Sequence, residues 1–202
     1  MVQKQLQEQA DPEVPPPAAR TPIPAGLITI IAVAFSLFQL YSNGLALLPS
    51  IWQYGIYLGF ALALGFLAFP AFKSGPKILI VVDLVLVTLS LTALAYILMR
   101  YDAMAVRFGI FFPSETLSAL VLVLLVLELT RRVLGLPLVI LAILFIVYAY
   151  FGNFIPGVFG HAGYSAARIS SYLILTTDGV FGTALGVAAT LISVFIIFGA
   201  FL

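Results

Sequence analysis

Residues 78–99, ILIVVDLVLVTLSLTALAYILM, decide the fold. One charge, Asp83, interrupts an otherwise uncharged run with no polar face. A helix of about 20 residues rising 1.5 Å per residue crosses ~30 Å of hydrocarbon, and a helix apolar on all sides belongs in lipid or a large core. The composition rules out the large core. The chain has 202 residues, of which 63% are hydrophobic and 8% charged, with seventeen Phe and a mean hydropathy of +1.19. Soluble domains run near ~25% charged. So apolar a chain of this size cannot be hidden inside a soluble globule. A soluble enzyme and a secreted disulfide scaffold are excluded.

Outward from that stretch the same ruler finds six hydrophobic spans, at about residues 23–41, 51–72, 78–99, 117–134, 137–151 and 182–202. The predicted fold class is therefore all-α: a polytopic transmembrane helix bundle. The fifth span is short and borrows its flanks to cross. Ser42-Asn43-Gly44 with Pro49, Ser74-Gly75-Pro76, Phe112-Pro113 and Gly135 with Pro137 fall between spans. Ser114 is the expected N-cap of the fourth span, with Glu115 in its favourable first turn. Residues 164–177 are less apolar and read as an interfacial helix, followed by turns at Asp178-Gly179 and Phe181-Gly182. Residues 1–22 are polar and proline-rich, with too little apolar surface to offset their ordering entropy, and read as a flexible tail. They lack the apolar run of a signal peptide.

Lys and Arg favour cytoplasmic loops. A cytoplasmic N-terminus collects Lys4, Arg20, Lys73, Lys77, Arg131 and Arg132 on that side, leaving Arg100, Arg107 and Arg168 opposite. The last span ends at Gly199-Ala200-Phe201-Leu202 without a basic anchor, so the chain is expected to be the start of a longer one.

The formal net charge of +1 gives no basic face for nucleic acid, and the absence of Cys removes thiolate sites and disulfides. A charge inside the bilayer costs roughly 2.5–3.5 kcal/mol on insertion scales, so each needs a reason. Asp83 has two readings: a proton or cation relay, or a bundle-facing carboxylate paired with Arg131 or Arg132 of the next span, which is the favoured one. Glu128 precedes Arg131 by three residues and Arg132 by four, so all three share one face of a helix end. They form a local ion pair, or an interlock with a partner domain. His161, in Gly160-His161-Ala162-Gly163, reads as a loop hydrogen-bonder. Gly44, Gly55, Gly59 and Gly65 would let neighbouring helices approach closely. No nucleophile–base pair or phosphate loop is present, so no catalytic, substrate-binding or metal residue is assigned.

From Glu128-Leu129-Thr130-Arg131-Arg132-Val133-Leu134-Gly135 onward the chain resembles a known family. The likeness continues through Tyr148-Ala149-Tyr150-Phe151-Gly152, Ile155-Pro156-Gly157, His161-Ala162-Gly163-Tyr164-Ser165 and Arg168. It extends over Leu175-Thr176-Thr177-Asp178-Gly179-Val180-Phe181-Gly182, Gly186-Val187-Ala188-Ala189-Thr190 and Ile197-Phe198-Gly199-Ala200-Phe201-Leu202. These segments resemble the N-terminal portion of the fused permease of tripartite ATP-independent periplasmic (TRAP) transporters of the TAXI type. Asp178 stands where the family suggests Glu, and Ala188 where it suggests Ser.

The resemblance implies a secondary transporter for organic anions in a bacterial or archaeal cytoplasmic (inner) membrane. Sodium would be the coupling ion, with no site for it in this chain, and a periplasmic TAXI-type binding protein would deliver the substrate. Residues 23–134 would be a four-helix small-subunit-like domain. Residues 135–202 would be a connector helix, the interfacial helix and the first helix of the large permease domain. The large domain would move as an elevator against this part as a static scaffold. Two rivals stand beside that reading: an independent small assembly or regulatory subunit, and a proton-relaying membrane enzyme subunit using Asp83 and Glu128.

Overall fold

A computed structural model describes residues 25–45, 48–70 and 78–202; the expected tail at 1–22, Lys73, Lys77 and the Ser74-Gly75-Pro76 break lie outside them. The described residues are all-helical, with no strand. In order they form α1 (Ala25–Gly44), α2 (Ser50–Ala68), α3 (Ile78–Val106), α4 (Pro113–Leu134) and α5 (Leu136–Phe151). A 3₁₀ turn at Gly152–Phe154 is followed by α6 (Ala166–Leu175) and α7 (Thr183–Val187). A π-helical segment at Ala188–Ile192 then leads into α8 (Ser193–Phe201). Five stretches are long and apolar enough to cross a membrane: Gly26–Gly44, Ser50–Ala68, Ile80–Val106, Leu136–Phe154 and Thr183–Ala200. The chain is a multi-pass helical membrane bundle.

Several boundaries differ from the sequence expectation. The fourth expected span is the 22-residue α4, which stands outside those five. It is the least apolar of the long helices and carries Glu115, Glu128, Arg131 and Arg132. α1 runs through Ser42-Asn43-Gly44 rather than stopping there, because the Asn43 side chain donates to Gln39 O one turn back at 3.1 Å. α2 ends at Ala68, ahead of Phe69-Pro70. α3 continues past Met99 to Val106, making 29 residues or about 43 Å by helical rise. Ser114 is not the cap of α4: the cap position is Phe112, two residues earlier, with Pro113 at the first helical position, where a missing N–H costs nothing.

α2 is the central strut, packing along α1, α3 and α4, while α4 also meets α5 and α6, and the α7–π–α8 helix returns to α1 and α2. Its glycines set the spacing. A Cβ at Gly55 would sit 2.6 Å from Leu98, and one at Gly65 would sit 2.5 Å from Leu129. Gly59 lies against Leu94, whereas Gly44 faces open space and brings no helix closer.

On α3 the buried positions Asp83, Val87, Ser90, Leu94, Ile97 and Met104 follow a heptad-like spacing, while Val81, Val82, Leu84 and Val85 are exposed. The hydroxyls of Thr88, Ser90 and Thr92 bond back to Leu84 O, Val87 O and Leu89 O, so no polar atom of that face needs water. α5 shows the complementary extreme, with Val139 its one fully buried side chain and Leu138, Ile140, Leu141, Leu144 and Phe145 exposed. α6 falls within the stretch read as an interfacial helix; it packs on α4, with Ser170, Ser171 and Ile174 buried.

Candidate functional site

The densest polar constellation is built around Arg132, near the C-terminal end of α4. Its Nη1 donates to Asp83 Oδ1 at 2.6 Å on α3 and to Phe69 O at 3.1 Å beyond the end of α2. Its Nε donates to Glu128 Oε1 at 2.8 Å, one turn back on α4. The guanidinium also lies 5.0 Å from the centroid of the buried Phe66 ring. Asp83 is 2% exposed and the Arg132 side chain 5%, so one arginine ties three helices together out of contact with solvent. The guanidinium suits this task because its donors are fixed in one plane and its faces stack on an aromatic ring.

All four residues singled out in the sequence, Asp83, Glu128, Arg131 and Arg132, meet here. Arg131 joins only through Glu128, at 2.8 Å from both Nε and Nη2, and is largely exposed. Asp83 therefore pairs with Arg132 and not with Arg131.

A second cluster joins the other ends of α3 and α4. Glu115, fully buried, accepts from Arg107 Nη2 at 2.8 Å and Nη1 at 3.4 Å and from the Phe112 N–H at 2.9 Å, with Arg100 3.5 Å away. Arg107 lies 4.3 Å from the centroid of the Phe112 ring. Glu115 thus caps α4 from the third helical position, and Tyr96 adds a hydroxyl bond to Ser114 Oγ at 2.9 Å. Burial pushes the Glu115 carboxyl up, but the Arg107 donors, the Phe112 N–H and Arg100 outweigh it and hold the group below the ordinary glutamate range. The sequence reading gave Glu115 only a helix-dipole role. The missed signal was two arginines, Arg107 and Arg100, upstream across the turn between α3 and α4.

A third polar node was also missed. The π segment leaves Ala189 O without its usual helical donor, and it accepts from Gln39 Nε2 at 3.0 Å and Asn43 Nδ2 at 3.1 Å on α1. Gln53 on α2 donates to Asn43 Oδ1 at 3.0 Å. Ser193 donates to Ala188 O at 2.8 Å, while the buried Gln39 Oε1 has no partner among the described residues. Carboxamides within otherwise apolar runs were the available signal.

His161 sits where a loop hydrogen-bonder would. Its Nδ1 accepts from the Gly163 N–H at 3.1 Å, so Nε2 carries the proton and faces Tyr148 O at 3.2 Å. The ring is stacked on Tyr164 and meets Tyr148 edge-on, and only a residue without a Cβ fits beside it at 152.

Chemically, these groups fasten helices. Asp83, Glu115 and Glu128 each face at least one guanidinium, which leaves no carboxylate of the three disposed as a free base. Among the described residues no group of three or more His, Cys, Asp or Glu is placed to hold a metal ion. Comparison with known protein families, with curated proteins and with solved structures found no match.

Proposed function

We propose that the chain is the stationary membrane scaffold of a TRAP-type secondary transporter, in a bacterial or archaeal cytoplasmic membrane. A large permease domain carries an organic anion with sodium, and a TAXI-type periplasmic protein delivers that anion. The observation that carries this reading is the Arg132 node, which fastens α2, α3 and α4 through Phe69 O, Asp83 and Glu128. An element against which another domain moves must keep its own helices in register. A three-helix tie of buried ionic hydrogen bonds serves that need better than apolar packing alone, since slippage would strand a charge in a low-dielectric interior.

The test is reconstitution into sodium-free vesicles, assayed with and without external sodium, together with the large permease domain and a TAXI-type binding protein. Sodium-driven uptake of the anion is expected only when this chain is present with both. Uptake by residues 1–202 alone, or undiminished uptake without them, defeats the proposal.

A further inference from the structure

α5 and the 3₁₀ turn after it make one apolar stretch, Leu136–Phe154. Only Val133-Leu134-Gly135 separates its start from Arg131 and Arg132, whose charges belong at the interface. The 16 residues of α5 rise about 24 Å from there, so its last turn still lies within ~30 Å of hydrocarbon. The chain then folds back. The His161 N–H donates to Gly152 O at 3.1 Å and the Tyr164 N–H to Ala149 O at 3.0 Å, while the Tyr148 hydroxyl donates to Phe159 O at 2.6 Å. A helical side chain leans toward the N-terminus of its own helix, so the Tyr148 hydroxyl holds Phe159 level with the last turn of α5 or deeper.

The composition and bonding of this loop suit that depth. No charged residue stands between Arg132 and Arg168, and Phe154, Val158 and Phe159 are turned outward, Val158 with 98% of its surface free. The N–H groups of Ile155 and His161 bond to Gly152 O, that of Gly160 to Gly157 O, that of Tyr164 to Ala149 O and that of Gly163 to His161 Nδ1. Irregular backbone needs such internal partners where water is scarce. His161 is the lock: Nδ1 holds Gly163, Nε2 holds Tyr148 O at 3.2 Å, and the ring is stacked on Tyr164. We propose that residues 154–159 form a re-entrant tip seated at the boundary between headgroups and acyl chains, with lipid as the partner of Phe154, Val158 and Phe159, and that His161 keeps the tip at that depth. The seat does not depend on the transport reading.

The chain has no cysteine, so a single cysteine introduced into the whole chain carries a nitroxide at one known place. In vesicles of phosphatidylethanolamine and phosphatidylglycerol, nitroxides at Val158→Cys and Phe159→Cys should collide more with oxygen, which concentrates in lipid, than with a water-soluble nickel chelate. Leu144→Cys, on the exposed face of α5, should show the same preference and serves as the lipid reference. Adding His161→Ala should abolish the preference at both tip positions and leave it intact at Leu144→Cys. Tyr148→Phe, which removes only the hydroxyl bond to Phe159, decides that point if His161→Ala does not fold. Three results each overturn the proposal: nickel preferred at the tip of the otherwise unaltered chain, both reagents shut out of it by a second copy, or a tip whose oxygen preference neither His161→Ala nor Tyr148→Phe reduces.

Discussion

Replacing Arg132 by Met separates a structural tie from a surface charge. The change removes the 2.6 Å bond to Asp83, the bond to Phe69 O, one bond to Glu128 and the contact with the Phe66 ring. Glu128 keeps Arg131, but Asp83 stays buried at 2% exposure with its ionic partner gone. Breaking a buried pair from one side costs about 3–5 kcal/mol, most of it the penalty of the abandoned charge. Arg131→Met removes only an exposed pair on the same helix and should fall within the scatter of ordinary surface changes. Adding Asp83→Asn to Arg132→Met removes the abandoned charge and should restore about 2 kcal/mol or more. Unfolding by denaturing detergent, followed by circular dichroism, measures all four proteins on one scale. Equal losses for Arg131→Met and Arg132→Met, or no recovery in the double variant, would refute the reasoning.

Glu115→Gln tests the second cluster through pH. The folded carboxyl lies below the ordinary range, so its stabilisation is complete above the unfolded value and fades as pH falls through the folded one. The stability gap between wild type and variant, followed by unfolding midpoints in acid, should therefore close as pH drops; a pH-independent gap would count against the ion pair. Gly65→Val forces a side chain against Leu129 and should cost about 1–3 kcal/mol, with Leu129→Ala in the same chain recovering part of it by thermal unfolding. Asn43→Ala strands the Gln53 amide and removes one of two donors to Ala189 O, for a loss of about 1–3 kcal/mol. Gln39→Leu disposes of an unpartnered oxygen while Asn43 still serves Ala189 O, so it should destabilise less. The reverse order would show that the node is wrongly apportioned.

The spans were legible because apolarity over 20 residues needs no knowledge of what each helix touches. The phase of each helix was harder. α3 is apolar on all sides, and its inward face is marked only by Asp83 and Ser90, the polar residues that seek the bundle interior. Choosing Arg132 over Arg131 needed the rotation of α4, because successive residues on a helix differ by about 100° and only one of the pair faces α3. Glu115 reads in the sequence only as a favourable partner of the helix dipole, because a carboxylate in a first turn already has a sufficient local reason. The two arginines that bury it arrive across the turn between α3 and α4. Asn43 misled in the opposite sense. Beside a Gly it reads as a breaker, yet the π segment offers a carbonyl that rewards keeping the helix intact to that point.

The two ion clusters fasten the same pair of helices at opposite ends. Along α4, Glu115 and Arg132 are separated by about 26 Å of helical rise, close to the ~30 Å thickness of a hydrocarbon core. Between them Leu94 and Ile97 of α3 and Ala119, Leu122 and Leu125 of α4 are all buried and apolar. A hairpin built this way has a preferred depth. Sliding it toward either face draws one cluster into hydrocarbon, at roughly 2.5–3.5 kcal/mol for each charge that loses the interface. The Arg100–Arg107–Glu115 group holds two cations to one anion and cannot enter as a neutral unit. Arg131, the exposed member of the other group, resists in the opposite direction. Resistance to vertical displacement therefore resides in the α3–α4 hairpin, which is what the proposed scaffold role requires.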